Sequence, residues 1–174
     1  MSDDILIRRL DGEPGMARAL AELLIDCVEG GASIGFMSPL PADRAEAFWV
    51  NTLDSATRGE RVVLVAEEAA TGALLGTVQL VMSAPENQPH RGEISKMMVR
   101  GAARRRGVGE ALMRAAETAA SEAGKFVLVL DTASPDAERL YERLGWQRLG
   151  AIPDYALWPD GRFVDTIIFY KDLR

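Results

Sequence analysis

The sequence predicts one α/β domain with elements in the order β-α-α-β-β-β-α-β-α-β-β, and three observations lead there. Apolar residues recur at helical spacing in about four segments, while about seven shorter runs read as strands. Glycine, proline and small polar residues mark the boundaries between these segments. The chain has 174 residues, 48% of them hydrophobic and 26% charged, which suits one ordinary domain with a full core and excludes a disordered chain.

Ile5–Leu10 reads as the first strand. Met16, Ala19, Leu20, Leu23, Leu24, Cys27 and Val28 form the stripe of an amphipathic helix that stops at Gly30-Gly31. Ala32–Pro39 is small, apolar and glycine-bearing, hence a loop. A second helix runs from Pro41 to about Arg58 on the stripe Ala45, Phe48, Trp49, Leu53 and Ala56, closed by Gly59. Arg61–Glu67 and Leu74–Met82, joined by a turn at Ala70–Ala73, predict a hairpin. After a loop over Ser83–Gly92, Glu93–Val99 reads as another strand.

Val108–Ala123 is an alanine-rich helix that Gly124 ends. Phe126–Asp131 is a continuous apolar run, which predicts a strand covered on both faces. Ser134-Pro135 supplies a cap and a first-turn proline for a helix carrying Ala137, Leu140, Tyr141 and Leu144 on one side. Two short strands, Trp146–Gly150 and Phe163–Lys171, complete the chain around a connection from Pro153 to Arg162. No repeat, linker or low-complexity segment interrupts this order.

Composition narrows the function. A net charge of -6 argues against a general nucleic-acid binder or an anionic-membrane binder. Cys27 is the single cysteine, so neither an intramolecular disulfide framework nor a multi-cysteine zinc site can form. With His90 the single histidine, zinc hydrolases and Ser-His-Asp enzymes are poor candidates, and no metal is expected. The first residues lack a basic region followed by a long apolar run, and the longest charge-free stretch, Ala69–Pro85, is broken by glycines, threonines and Gln79. A cytoplasmic chain is the expectation.

The sharpest local feature is Arg100-Gly-Ala-Ala-Arg-Arg-Arg-Gly-Val-Gly109, between a strand and a helix start. Glycines at 107 and 109 allow close backbone approach, and the first amides of a helix, with its dipole, favour an anion such as a diphosphate. The arginines add charge-assisted hydrogen bonds. The same segment also fits a solvated basic turn. It is neither a P-loop nor Gly-x-Gly-x-x-Gly.

Arg104-x-x-Gly107-x-Gly109 after Met97-Met-Val99 resembles the pyrophosphate motif of the GNAT superfamily of N-acetyltransferases. Ala137-Glu-Arg-Leu-Tyr-Glu-Arg-Leu-Gly-Trp146 resembles the later helix of that superfamily, with its tyrosine and the glycine-aromatic start of the next strand. The resemblance implies a mixed, mostly antiparallel sheet of about seven strands flanked by about four helices. It implies acetyl-CoA as co-substrate, held by Met97, Met98, Val99, Arg104, Arg105, Arg106, Gly107, Val108, Gly109 and Glu110. Gly30–Met37, Glu93–Val99, Leu130–Thr132 and Pro159–Arg162 resemble the tabtoxin resistance acetyltransferase subgroup, which implies a tabtoxinine-β-lactam-like amino acid as acceptor and toxin inactivation as the effect.

Acetyl transfer to an amine needs a base for the ammonium, donors for the oxyanion and a proton for the departing thiolate. Glu93 and Asp131 are the candidate bases. Strand alternation puts Glu93, Ser95, Met97 and Val99 on one face, and Asp131 ends the strand where open sheets place ligand sites. From the residues alone Glu93 better suits a surface pairing with Lys96 or Arg91, and Asp131 a bond to the backbone of the following turn. In the subgroup the matching pair accepts the proton. Tyr141 is the candidate acid, protonated at neutral pH with an ordinary pKa of about 10; on its stripe it also suits a core tyrosine. The resemblance implies a bulge that turns amides near Met98 and Val99 towards the oxyanion.

Loops on the sheet set acceptor selectivity, with Gly31, Ser33, Phe36, Tyr155 and Trp158 as candidates. Cys27 reads as an inert core thiol, so direct transfer in a ternary complex is expected over an acetyl-enzyme. Other small amines (a polyamine, an aminoglycoside, a metabolic amino acid) remain open as acceptors. So do a non-catalytic acyl-CoA sensor and, on the arginine turn alone, an RNA-binding module. Homodimers are common among proteins of this kind, and the sequence leaves the oligomeric state open.

Overall fold

The computed structural model describes residues 4–174, so the first three residues of the segment read for a signal lie outside the described residues. Its elements are β1 (Ile5–Arg9), α1 (Met16–Glu29), α2 (Ala42–Thr57), β2 (Arg61–Glu68), β3 (Leu74–Val81), β4 (Arg91–Val99), α3 (Val108–Glu122), β5 (Val127–Thr132), α4 (Pro135–Arg143), β6 (Gln147–Leu157) and β7 (Phe163–Asp172), with a short 3₁₀ turn at Gly101–Ala103. The order is the predicted one. The seven strands form one sheet, β1-β2-β3-β4-β5-β7-β6, in which only β4 and β5 run parallel.

Two cores sandwich the sheet. On one face Leu112, Met113 and Ala116 of α3 and Leu140 and Tyr141 of α4 pack on Val62, Leu80, Leu128 and Phe169. On the other, Leu20, Leu24, Cys27 and Trp49 of α1 and α2 pack on Val63, Val65 and Met98. Ser134 caps α4 as its sequence predicts, its Oγ accepting from the Ala137 amide at 3.3 Å, with Pro135 in the first turn.

Two expectations change. β5 is not covered on both faces: Leu128 and Leu130 are buried, Val127 and Val129 half-buried, and Asp131 exposed. Helices α1 and α2 cover only the sheet towards β2–β4, and their core contains no β5 residue. The C-terminal strands are also longer than predicted, because β6 continues to Leu157 through the stretch read as a connection. Pro153 lies where the β6–β7 register shifts, between Ile152 and Ala156, and β6 is the edge strand, where a missing N–H is tolerated.

Candidate active site

The cleft originates in a parting of strands. β4 pairs with β5 only over Arg91, Gly92 and Glu93; beyond that β4 stays on β3 while β5 runs to Thr132 along β7. The wedge between them holds a cleft of about 950 Å³. It lies at the carboxyl ends of the parallel pair, where open sheets admit ligands.

A bulge decides which side chains face which side of the sheet. Ser95 opposes Gln79 and Met98 opposes Thr77, so Lys96 and Met97 together face one residue of β3, and Lys96 takes a left-handed φ of 51°. Strict alternation therefore fails after Ser95. Met98 packs with α1 and α2, while Met97 and Val99 pack against the α3–α4 core, on the face opposite Glu93 and Ser95. The expected common face of Glu93, Ser95, Met97 and Val99 is thereby corrected: the extra residue inverts the side-chain order.

Glu93 opposes Val129, two residues before Asp131, so both carboxylates lie on the same face of the sheet and both line the cleft. Glu93 is in contact with neither expected partner: Arg91 donates to Gln88 at 2.6 Å, and Lys96 Nζ stands over the Phe48 ring, 5.9 Å from its centroid. Asp131 does not hold the following turn either. The Thr166 hydroxyl, from β7, donates to its Oδ2 at 2.7 Å, and Thr132 accepts from the Ser134 amide. Thr166 escaped the sequence reading because its link to Asp131 spans 35 residues and exists only through the β5–β7 ladder.

Tyr141 approaches the cleft from the opposite face of the sheet. Its ring packs on Phe169 at 5.7 Å and Trp146 at 6.1 Å, and among the described residues its hydroxyl has no hydrogen-bond partner. Burial, and next the charge of Asp131, push the phenol well above its ordinary value of 10, so it stays protonated through neutral and mildly alkaline pH.

The arginine turn forms one end of the cleft. Gly107 takes φ 83° at the N-cap of α3. Gly109 is needed for a different reason, since a Cβ there would lie 3.1 Å from Leu140 Cδ2, so glycine lets α3 and α4 close together. Between the 3₁₀ turn and α3, the amides of Arg105 to Glu110 make no backbone hydrogen bond; the ladder starts with Ala111 donating to Gly107. Arg104 and Arg105 line the cleft. Arg106 does not: it pairs with Glu68 at 2.6 Å, and Arg100 donates to the Leu74 carbonyl, so two of the four arginines are structural ties.

Gly31, Ser33, Tyr155 and Trp158 line the cleft together with Met97, Met98, Val99, Val108 and Glu110. Ser33 donates to the Leu157 carbonyl at 3.0 Å, and the Ser38 amide donates to Pro159 at 3.1 Å, so the loop after α1 is tied to the β6–β7 hairpin. Phe36 is outside the lining: it packs edge-on against Phe48 at 5.1 Å, as an aromatic anchor for that loop. His90 stacks on Phe126 at 5.1 Å, away from the cleft. Cys27 borders the cleft, and its thiol is pushed up to about 11 by burial and then by Asp26, which keeps it poorly nucleophilic. Among the described residues, no three or more His, Cys, Asp or Glu stand together as a metal site, and no helix is long and apolar enough to cross a membrane.

The split sheet thus places an amide-rich turn on one side of the opening and two carboxylates on the other. The family model for the acetyltransferase (GNAT) family matches residues 17–146, and the chain belongs to that family. The fold is shared with an N-acetyltransferase from Staphylococcus aureus Mu50 (19% identity, TM-score 0.81, covering 99% of this chain and 100% of that one). It is shared too with a ribosomal-protein-alanine N-acetyltransferase from Brucella melitensis (24%, TM-score 0.79, covering 97% and 99%). A third similar structure is a phosphinothricin acetyltransferase from Sinorhizobium meliloti in complex with AcCoA (21%, TM-score 0.81, covering 98% and 89%).

Proposed function

We propose that residues 1–174 form a single cytoplasmic N-acetyltransferase domain that moves acetyl from acetyl-CoA to a small-molecule amine in a ternary complex. The observation that carries this reading is the wedge between β4 and β5, with Glu93 and Asp131 on one face and Tyr141 reaching its lining from the other. The donor's diphosphate suits the unbonded amides of Arg105–Glu110 and the guanidiniums of Arg104 and Arg105. Met97, Val99, Val108 and Gly109 then flank its pantetheine arm, with Met98 contributing backbone. Arg106 serves by holding the turn to Glu68.

Acetyl-CoA supplies the thioester, whose C–S bond breaks as the C–N bond forms. Glu93 and Asp131 attract the ammonium and take one proton from it, freeing the attacking lone pair. Backbone N–H groups of β4 beyond the bulge, which have no β5 partner, face the developing oxyanion. Tyr141 gives its proton to the departing sulfur, and one of the two protons left on nitrogen replaces it, the other staying as the amide N–H. The net products are the amide, free thiol and one proton.

The subgroup resemblance supports an amino-acid acceptor like tabtoxinine-β-lactam, with toxin inactivation as the effect. The phosphinothricin acetyltransferase among the similar structures adds a second amino-acid-like candidate.

The test begins with thermal unfolding. Acetyl-CoA at about 100 times its Kd stabilises by about 2.7 kcal/mol, which raises Tm by about 5–10 °C for a chain of this size. Thiol release against an amine panel follows, with Tyr141→Phe expected to cut kcat by about 10²-fold or more while keeping the melting shift. No shift at millimolar acetyl-CoA removes the reading, and full turnover in Tyr141→Phe removes the role of the phenol. Thr166→Val, which frees the Asp131 carboxylate, is expected to lower kcat by about tenfold at unchanged acetyl-CoA affinity, measured by the same assay.

A further inference from the structure

Lys96 lines the cleft at the bulge, and this mechanism does not use it. It occupies the bulge at a left-handed φ of 51°, a conformation that glycine or asparagine adopts far more readily than lysine. Its side chain is half-buried in the cleft, with Nζ 5.9 Å from the Phe48 ring centroid and 3.7 Å from where a Cβ on Gly35 would lie. The ammonium thus spans from β4 to the loop after α1, on the face that carries Glu93 and Asp131. Among the described residues it makes neither a salt bridge nor a hydrogen bond, so its three donors are unspent.

A partly desolvated ammonium without an anion at contact distance is costly, and here it is combined with a strained backbone. Burial pulls the lysine below its ordinary value, while Asp131 and Glu93 act to hold its proton. The two carboxylates therefore steady the charge without satisfying its donors. A ligand bearing an anionic oxygen would do so. The same pocket then offers negative charge for an amine and positive charge for an acid, side by side.

We propose that Lys96 binds the carboxylate of the acceptor, which makes the substrate class amino acids, carrying amine and acid on one small skeleton, and excludes polyamines and aminoglycosides. This rests on the acetyl-transfer reading above and extends it to the choice of acceptor.

The test compares wild type, Lys96→Met and Lys96→Arg on matched acceptors: phosphinothricin and the common L-amino acids, each beside its carboxamide, with spermidine and kanamycin as acid-free amines. Thiol release gives kcat and KM, and thermal shift of the CoA-saturated protein gives acceptor binding without chemistry. Wild type should favour the best acid over its amide by about ten- to hundredfold in kcat/KM. Lys96→Met should erase that preference through KM, leaving the amide unaffected, and Lys96→Arg should restore most of it. Lys96→Met keeps the apolar stem, and its melting curve checks that it folds.

Equal use or equal binding of acid and amide by wild type overturns the proposal, as does a preference for spermidine or kanamycin. Loss of kcat with every acceptor in both variants, at unchanged KM, also overturns it, since Lys96 would then belong to proton transfer. Failure of the parent reading looks different: neither an acetyl-CoA melting shift nor thiol release with any amine.

Discussion

In the double variant Glu93→Gln/Asp131→Asn, turnover is expected to fall by about 10²–10⁴-fold, the range a positioned proton-transfer group contributes. Both replacements keep shape and remove charge. The amide carbonyl introduced at position 131 can still accept from the Thr166 hydroxyl, so the β5–β7 junction should hold and the melting temperature should change little. The acetyl-CoA melting shift should persist, because the amides of Arg105–Glu110 and the cleft arginines lie at the other end of the wedge. The single variants divide the work: the one that reproduces most of the loss identifies the proton acceptor. A double variant with wild-type turnover would dismiss both carboxylates.

The Tyr141 phenol is raised by burial and by the Asp131 charge, so the native state keeps this proton after the unfolded chain has lost it. Its contribution to stability is complete below pH about 10 and declines above that, as the unfolded tyrosine ionises. A fall in rate between pH 8 and about 10 must then originate in another group, and Tyr141→Phe should leave the position of that limb unmoved.

Gly76→Ala is the second large effect. Gly76 lies opposite Val99, and a Cβ there would stand 2.7 Å from the Met98 carbonyl oxygen and 3.1 Å from Leu112 Cδ1 and Val108 Cγ1. No rotamer change relieves a contact with backbone, so β4 must move away from β3 just beyond the bulge. Overpacking of this kind costs about 1–3 kcal/mol, which lowers Tm by about 2–12 °C. Activity should fall further than stability, because the displaced backbone borders the cleft in which the proposed reaction seats the thioester carbonyl. Thiol release measured well below the variant's melting temperature separates the two losses. Gly150→Ala is the control, with no heavy atom within 4 Å of the added carbon, and it should match wild type in both readouts. An unaltered Gly76→Ala would show that β3 and β4 do not approach so closely.

Chain-local chemistry was legible because its causes are neighbours in sequence. The stripe from Met16 to Val28 forms α1, Ser134-Pro135 starts α4, and the glycines and arginines between Arg100 and Gly109 mark a turn with spare amides. Glu93, Asp131 and Tyr141 could be singled out by residue type, strand end and helix stripe, and all three border one cleft.

Other features depend on partners distant along the chain. The register of β3 against β4 creates the bulge that turns Met97 away from Glu93 and pushes Lys96 into the cleft, and alternation within β4 alone cannot reveal an unpaired residue. Packing of α3 on α4 gives Gly109 its steric role, and the pair with Glu68 holds Arg106 outside the cleft lining. The ladder to β7 supplies Thr166 to Asp131, and the limited reach of α1 and α2 leaves the second face of β5 half open. Residue identity and local pattern set which groups this protein has for the chemistry. Packing of the sheet selected those that face the same cavity, because facing is set by register and close approach, and neither is encoded within a single strand.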